Sequence, residues 1–273
     1  MVDLRRRVRF AINPPEADDP AAADSNGFAG VPAIRGLGRH YELEVVCRGD
    51  PDEPSGYLIN IKRIDEAVRE HAAPLIARAC HETPAASPES LLPALISALG
   101  GALGSAPGEA HRNVASIRWR LSPFYSVEME RSDMSKAILR QSFEFAASHR
   151  LHVPELSDEE NRRLFGKCNN PGGHGHNYRL EAAVEIPIVD SGAPFTLAHL
   201  ERIVDERVIN DYDHKHLNNQ VSDFEEVNPS VEHIARAIYN RLEPAIREQS
   251  KNAQLREVTV WETEKTSCVY AGA

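Results

Sequence analysis

A chain of 273 residues with 41% hydrophobic and 26% charged side chains has the make-up of a globular protein of one large or two ordinary domains. No apolar run approaches the roughly 20 residues needed to cross a bilayer, and the opening "MVDLRRRVRF" has arginines but no apolar segment behind them, so no signal peptide is read and the cytoplasm is expected. A formal charge of −10 argues against a general nucleic-acid backbone binder, which needs a basic face, and leaves room for a locally basic pocket.

In chain order, the first half offers the strand-like "GLGRHYELEVVCRGDPDEPSG", a helix, a second helix in "SPESLLPALISAL", and the strand-like "VASIRWRLSPFYSVEME". The second half repeats this order with "GHGHNYRLEAAVEIPIVDSG", helical periodicity, "NPSVEHIARAIYNRL" and "REVTVWETEKTSCVYAG". Each half therefore reads as strand, long loop, strand pair, helix, helix, strand. Aligning Gly36 with Gly173 places Gly38 on Gly175, Tyr41 on Tyr178, Leu43 on Leu180 and Glu44 on Glu181, and further on Glu89 falls on Glu232. In the last helix, Ser230 is a plausible N-cap, and Ile234, Ala237, Ile238 and Leu242 share one face. The expectation is two similar α+β domains, residues 1–132 and 133–273, joined near "SVEMERSDMSKAIL".

The halves differ where chemistry is expected. His174 and His176 stand opposite Leu37 and Arg39, His149 opposite Asn13, and Glu262 opposite Leu121. The second copy should carry the activity. On a strand, the i, i+2 spacing of His174 and His176 points both rings to one face. That is either a chelating pair or two ordinary hydrogen-bonded histidines. His149, in "FEFAASHRLH", is available from a neighbouring strand, and three neutral imidazoles with an open position is the catalytic zinc pattern.

Of Cys47, Cys80, Cys168 and Cys268, none forms a CxxC pair, and three read as small buried thiols. Cys168 lies in a polar loop beside Lys167, where a thiol is a candidate nucleophile or base. Asp213 and His214 adjoin in "NDYDHKHLNN", where the carboxylate either orients the ring or is simply solvated. His152, His199, His216 and His233 read as surface or structural. Glu262, the odd charge in an apolar strand, either faces solvent or accepts two parallel N–H bonds from an amidine-like edge.

"FAASHRL", "LSDEENRRLFGKCNNPGGHGHNY", "YDHKHLNN" and "VWETEKTSCVY" together resemble, in order and spacing, the 6-pyruvoyltetrahydropterin synthase family, over roughly residues 141 to 273. Five residues separate Cys168 from His174, as in animal-type members; the related 6-carboxytetrahydropterin synthases of queuosine biosynthesis usually have a shorter gap. The resemblance implies that His149, His174 and His176 bind Zn2+, that Cys168 is the proton-abstracting thiolate, and that Asp213 and His214 complete the relay. It implies that Glu262 anchors a pterin ring, with Ser230 and Glu232 near the pterin; the counterpart Glu89 in the first half suggests that Glu232 also has a structural role. The implied substrate is 7,8-dihydroneopterin triphosphate, converted to 6-pyruvoyltetrahydropterin with loss of triphosphate; 6-carboxytetrahydropterin is the alternative product. Arg150 and Lys167 are candidates for the triphosphate from charge and proximity alone. The implied fold is the tunnelling fold (T-fold): an antiparallel four-stranded sheet with two helices, assembled into barrels. No nucleic-acid or membrane partner is expected. The chain departs from the family in its extra N-terminal half, so the expected homo-oligomer has three active halves in one ring and the degenerate halves in another.

Overall fold

Alternation builds the first strand. In β1 (Val2–Ile12) the side chains of Val8, Phe10 and Ile12 are buried and those of Arg5 and Arg7 exposed, the period of two expected of a sheet with one covered face. The structure is a computed structural model and describes residues 1–15, 28–104, 113–189 and 195–272. It divides into two compact units, Met1–Leu139 with Pro187–Ala193 and Arg140–Ile186 with Pro194–Ala273.

In the first unit, β2 (Arg39–Gly49) pairs antiparallel with β1, setting Phe10 opposite Tyr41. The helices follow: α1 (Ile61–Ala67), a π-helical turn over Val68–Ala72, α2 (Ala73–Glu82) and α3 (Leu92–Leu103). β3 (Asn113–Arg120) then pairs with β2, and β4 (Tyr125–Glu130) with β3. α2 packs on β1 and α3 on β3 and β4, and Ile76, Leu95, Ile96 and Leu99 of the helices and Leu43, Val45 and Ile117 of the sheet are all fully buried. Arg6, on the helix side, is held by two 2.7 Å bonds to Asp65 of α1.

The second unit runs β5 (Lys136–His149), α4 (Asp158–Phe165), β6 (His174–Pro187), α5 (Leu197–Val204), a π-helical turn over Asp205–Ile209 and α6 (Asn210–Tyr212). It continues with β7 (Lys215–His216), α7 (Leu217–Gln220), α8 (Val231–Gln249), β8 (Gln254–Thr263) and β9 (Thr266–Tyr270). The strands lie in the order β5-β6-β8-β9, with β7 parallel to the end of β5. The amphipathic α8 packs on β8 and β9. Its Ile234, Ile238 and Leu242 are fully buried. An antiparallel sheet with helices on it makes each unit α+β.

The strand pair is not where the sequence reading put it. β6 is a single strand of 14 residues, because "YRLEAAVEI" contains no breaker, and it is the C-terminal stretch of each half that folds back as a hairpin. Between β3 and β4 the Ser122 hydroxyl accepts from the amides of Phe124 and Tyr125 at 3.1 and 3.0 Å, a side-chain-closed turn. Between β8 and β9 the reversal is at Glu264–Lys265. The division between the units falls inside β5, at Leu139/Arg140, a few residues after residue 132, where the joint was expected.

Candidate metal centre

The last residue of β5, His149, is fully buried. β6 begins with His174, and the pleat brings His176 to the same face. The three rings converge. His149 Nε2 lies 3.2 Å from His174 Nε2, and one ring nitrogen from each histidine lies within 4.8 Å of the other two. It is the one such group among the described residues.

Two local features bring the strands this close. Gly173 has φ +71°, and a Cβ there would sit 2.9 Å from the His149 carbonyl oxygen and 2.9 Å from His216 Nε2. Only glycine meets both demands. The turn before it is closed by the Gly173 amide donating to the Asn170 carbonyl at 2.8 Å.

Burial favours the neutral form of two of the imidazoles. Burial pushes His149 down to about 4, with the neighbouring histidines adding to the shift and the bond to Pro229 opposing it. His176 is also lowered, by burial first, against the pull of Glu262. The Pro229 carbonyl, 2.7 Å from His149 Nδ1, can only accept, so Nδ1 holds the proton and Nε2 faces the cluster bare. His174 Nδ1 and His176 Nε2 are buried with no hydrogen-bond partner, each an uncompensated cost of about 1–3 kcal/mol. Three imidazoles with one nitrogen each at a common point, among them the unpartnered His176 Nε2, are the donor set of a late first-row divalent ion. The residues present fit a metal.

Glu262 leaves β8 toward this cluster. Its Oε1 is 3.5 Å from His149 Nε2 and 3.7 Å from His176 Nε2. The β8–β9 register skips from Trp261 to Thr263, so Glu262 sits at an irregularity of the kind that re-aims a side chain near active sites. Tyr178 stands edge-on to His149, its Oη 3.5 Å from Nδ1.

Cys168 lies in a 3-10 turn, Gly166–Asn169, straight after α4. Ser157 and Glu160 cap the start of α4 reciprocally, and the Cys168 carbonyl accepts from Leu151 at 2.9 Å, which fixes the turn. The thiol is partly exposed. Tyr178 feels it: burial pushes the phenol far up, and the charges of Glu262 and Cys168 add to the shift.

Asp213 and His214 are paired, Oδ2 to Nδ1 at 2.8 Å. The other carboxylate oxygen of Asp213 accepts from the Ala146 amide at 2.8 Å, and the His214 amide donates back to the Ala146 carbonyl at 2.6 Å. That clamp holds His214 at φ 57°, the one positive φ outside glycine among the described residues, a strain of the kind kept at functional positions. His214 shares a cleft of about 520 Å³ with His176, Gly175, Lys215 and His216.

Other predicted residues lie further out. The Ser230 hydroxyl caps α8 by accepting from His233, and Glu232 is held below the usual carboxylate range chiefly by that same hydroxyl; neither lines the cleft. Arg150 borders a separate hollow of about 620 Å³ with His152, His216 and Asn228; Lys167 does not line it. Cys47 is buried and pushed up to about 11, but Cys80 and Cys268 are partly exposed, correcting their reading as buried thiols. The Pro229 carbonyl, Tyr178 and His216 were not foreseen as parts of the site.

The 6-pyruvoyl tetrahydropterin synthase family model matches residues 138–273. The chain is 38% identical over 138 residues to human 6-pyruvoyl tetrahydrobiopterin synthase, covering 50% of this chain and 92% of that one. It is 38% identical over 143 residues to the Drosophila melanogaster enzyme of the same name, covering 52% and 83%. Among solved structures, Caenorhabditis elegans 6-pyruvoyl tetrahydropterin synthase aligns over 50% of this chain and 96% of its own at 33% identity, with a TM-score of 0.47. With so much of the human protein covered by one continuous match, the chain belongs, through its second half, to the 6-pyruvoyl tetrahydropterin synthase family.

Proposed function

We propose that the second half is a zinc-dependent lyase that converts 7,8-dihydroneopterin triphosphate to 6-pyruvoyltetrahydropterin and inorganic triphosphate. The observation that carries this reading is the convergence of His149, His174 and His176 within the region the family model matches. These residues would hold the ion, which when bound supplies Lewis acidity toward substrate oxygens. Cys168 takes a proton from a side-chain carbon of the substrate. The carbon–oxygen bond to triphosphate breaks, and His214, oriented by Asp213, exchanges protons with the side-chain hydroxyls during tautomerisation to the diketone. The electrons balance without a redox cofactor. Glu262 receives the N–H groups of the pterin, and Ser230 and Glu232 are its partners in this reading on the strength of the family resemblance alone. Identifying the pterin formed from this substrate by mass tests the assignment, with 6-carboxytetrahydropterin as the competing outcome.

The first half reads as a degenerate T-fold copy, residues 1–132, without a metal centre. Its support is shared irregularity: the π-helical turns Val68–Ala72 and Asp205–Ile209, and the register shifts at Val46/Cys47 and Ala183/Val184, fall on the same offset that aligns Tyr41 with Tyr178. Where His149 would stand, Asn13 is buried and ties down a loop, donating to Ala33 at 3.0 Å and accepting from Arg35 at 2.8 Å. Leu37, opposite His174, is exposed. The chain assembles as a homo-oligomer with catalytic halves meeting in threes around a barrel, in the cytoplasm; no helix among the described residues is long and apolar enough to cross a membrane. Native mass spectrometry tests the assembly, and a dimer would contradict it.

A further inference from the structure

The position of Glu262 says more than a role in holding the heterocycle. In a tetrahedral site with metal–nitrogen bonds of about 2.0–2.1 Å, neighbouring ligand atoms stand roughly 3.4 Å apart. His149 Nε2 and His174 Nε2 are 3.2 Å apart, and Glu262 Oε1 stands 3.5 Å from His149 Nε2 and 3.7 Å from His176 Nε2. The carboxylate oxygen is thus near ligand-to-ligand separation from two of the three imidazoles, while standing just outside the compact group that the three histidines form. His176 Nε2 itself has no hydrogen-bond partner, so the carboxylate approaches that nitrogen without bonding to it. Val260 pairs with Leu180 on β6, so alternation places Glu262 on the same sheet face as Tyr178, His176 and His174, at the point where the β8–β9 register skips. Glu262 retains some exposure, 20% of its side chain, enough to swing out.

We infer that Glu262 is the fourth ligand of the metal in the substrate-free protein, and that an incoming substrate oxygen displaces it. The inference rests on the three-histidine reading above. Once displaced, the same carboxylate is free to accept N–H bonds from the heterocycle, so one residue reports ring arrival to the metal by vacating its coordination position. A closed His₃Glu centre also shields the ion from adventitious anions, since the usual open position of a catalytic zinc is filled until substrate enters.

Cobalt(II) substitution gives a readout independent of turnover. The full-length protein and its Glu262→Gln and Glu262→Ala variants are loaded with Co²⁺ and titrated with azide while the visible d–d bands are followed. The expected result is one tightly held Co²⁺ per chain in the wild type, little response to millimolar azide, and a clear spectral change with azide in both variants. Their metal affinity should fall by at least about tenfold, as loss of an inner ligand outweighs the loss of an outer partner. If wild type and both variants bind Co²⁺ equally and respond to azide alike, Glu262 is not a ligand and the inference is overturned with the three-histidine centre intact. If His149→Ala still binds Co²⁺ as the wild type does, the three-histidine reading itself fails, and the inference with it.

Discussion

The Nδ1–H of His149 donates to the carbonyl oxygen of Pro229 across 2.7 Å, tying the buried end of β5 to the residue just before the N-cap of α8. A metal-ligating imidazole whose other nitrogen is so held has one tautomer and one orientation. The turn carrying Pro229 is itself secured by Asn228, whose side chain accepts from the His152 amide at 3.0 Å and whose carbonyl faces His233 Nδ1 at 2.7 Å. Replacing Asn228 with alanine should weaken metal binding about 10- to 100-fold while leaving the far-ultraviolet circular dichroism unchanged. Competition with a chromophoric chelator measures this, and an unchanged affinity would show that Pro229 is held without Asn228.

Gly173→Ala should be more damaging than its size suggests. The added methyl meets the His149 carbonyl and the His216 ring at 2.9 Å each, at φ +71°, where the backbone alone costs about 1–2 kcal/mol. Thermal unfolding should fall by several degrees and metal content with it. Normal stability together with full metal occupancy would contradict the packing described for the His174 strand.

Cys168→Ala should separate chemistry from metal binding. The thiol acts as a base in this reading and not as a ligand, so one ion per chain should remain while turnover falls by about 10²-fold or more. Retained turnover would remove Cys168 from the mechanism.

Asp213→Asn should act on both rate and acid stability. The Asp213 carboxyl is held below its ordinary 3.8 first by the Ala146 amide and then by His214. A depressed carboxylate stabilises the fold fully above its unfolded pKa and loses that contribution as pH falls through the lower folded value. Loss of stability below about pH 3.8 should therefore be shallower in the variant. Asp213 is a third exposed, so the effect is small. Turnover should drop about 10²- to 10⁴-fold with metal retained. Superimposable acid-unfolding curves would show that the clamp on Ala146 adds nothing.

Much of this centre is written in local pattern, and the reasons are physical. The pairing of His174 with His176 follows from strand periodicity, and Ser230 as a cap follows from its place before an amphipathic run. The comparison of halves separated Tyr178 and Gly173 from His174 and His176, yet it filed Tyr178 as framework although its hydroxyl lies beside His149. A carbonyl such as that of Pro229 leaves no trace in residue identity. Nor does strand pairing: alternation puts Glu262 in phase with Val258 and Val260, but only the pairing of Val260 with Leu180 on β6 shows that this is the face the histidines occupy. His216 reads from sequence only as surface or structural, because nothing near it indicates that its ring fills the space over Gly173. The two hairpins escape the sequence because turns closed by Ser122 and Thr263 side chains are weaker signals than glycine or proline.

The central claim is that the three histidines make the second half a metal-dependent pterin synthase. Its most direct test is to follow 7,8-dihydroneopterin triphosphate by mass with zinc-loaded protein, with chelator-stripped protein, and with the His149→Ala variant. The expected result is 6-pyruvoyltetrahydropterin and triphosphate from the loaded protein alone. A 6-carboxy product would contradict the assigned reaction, and equal turnover by all three preparations would contradict the metal centre itself.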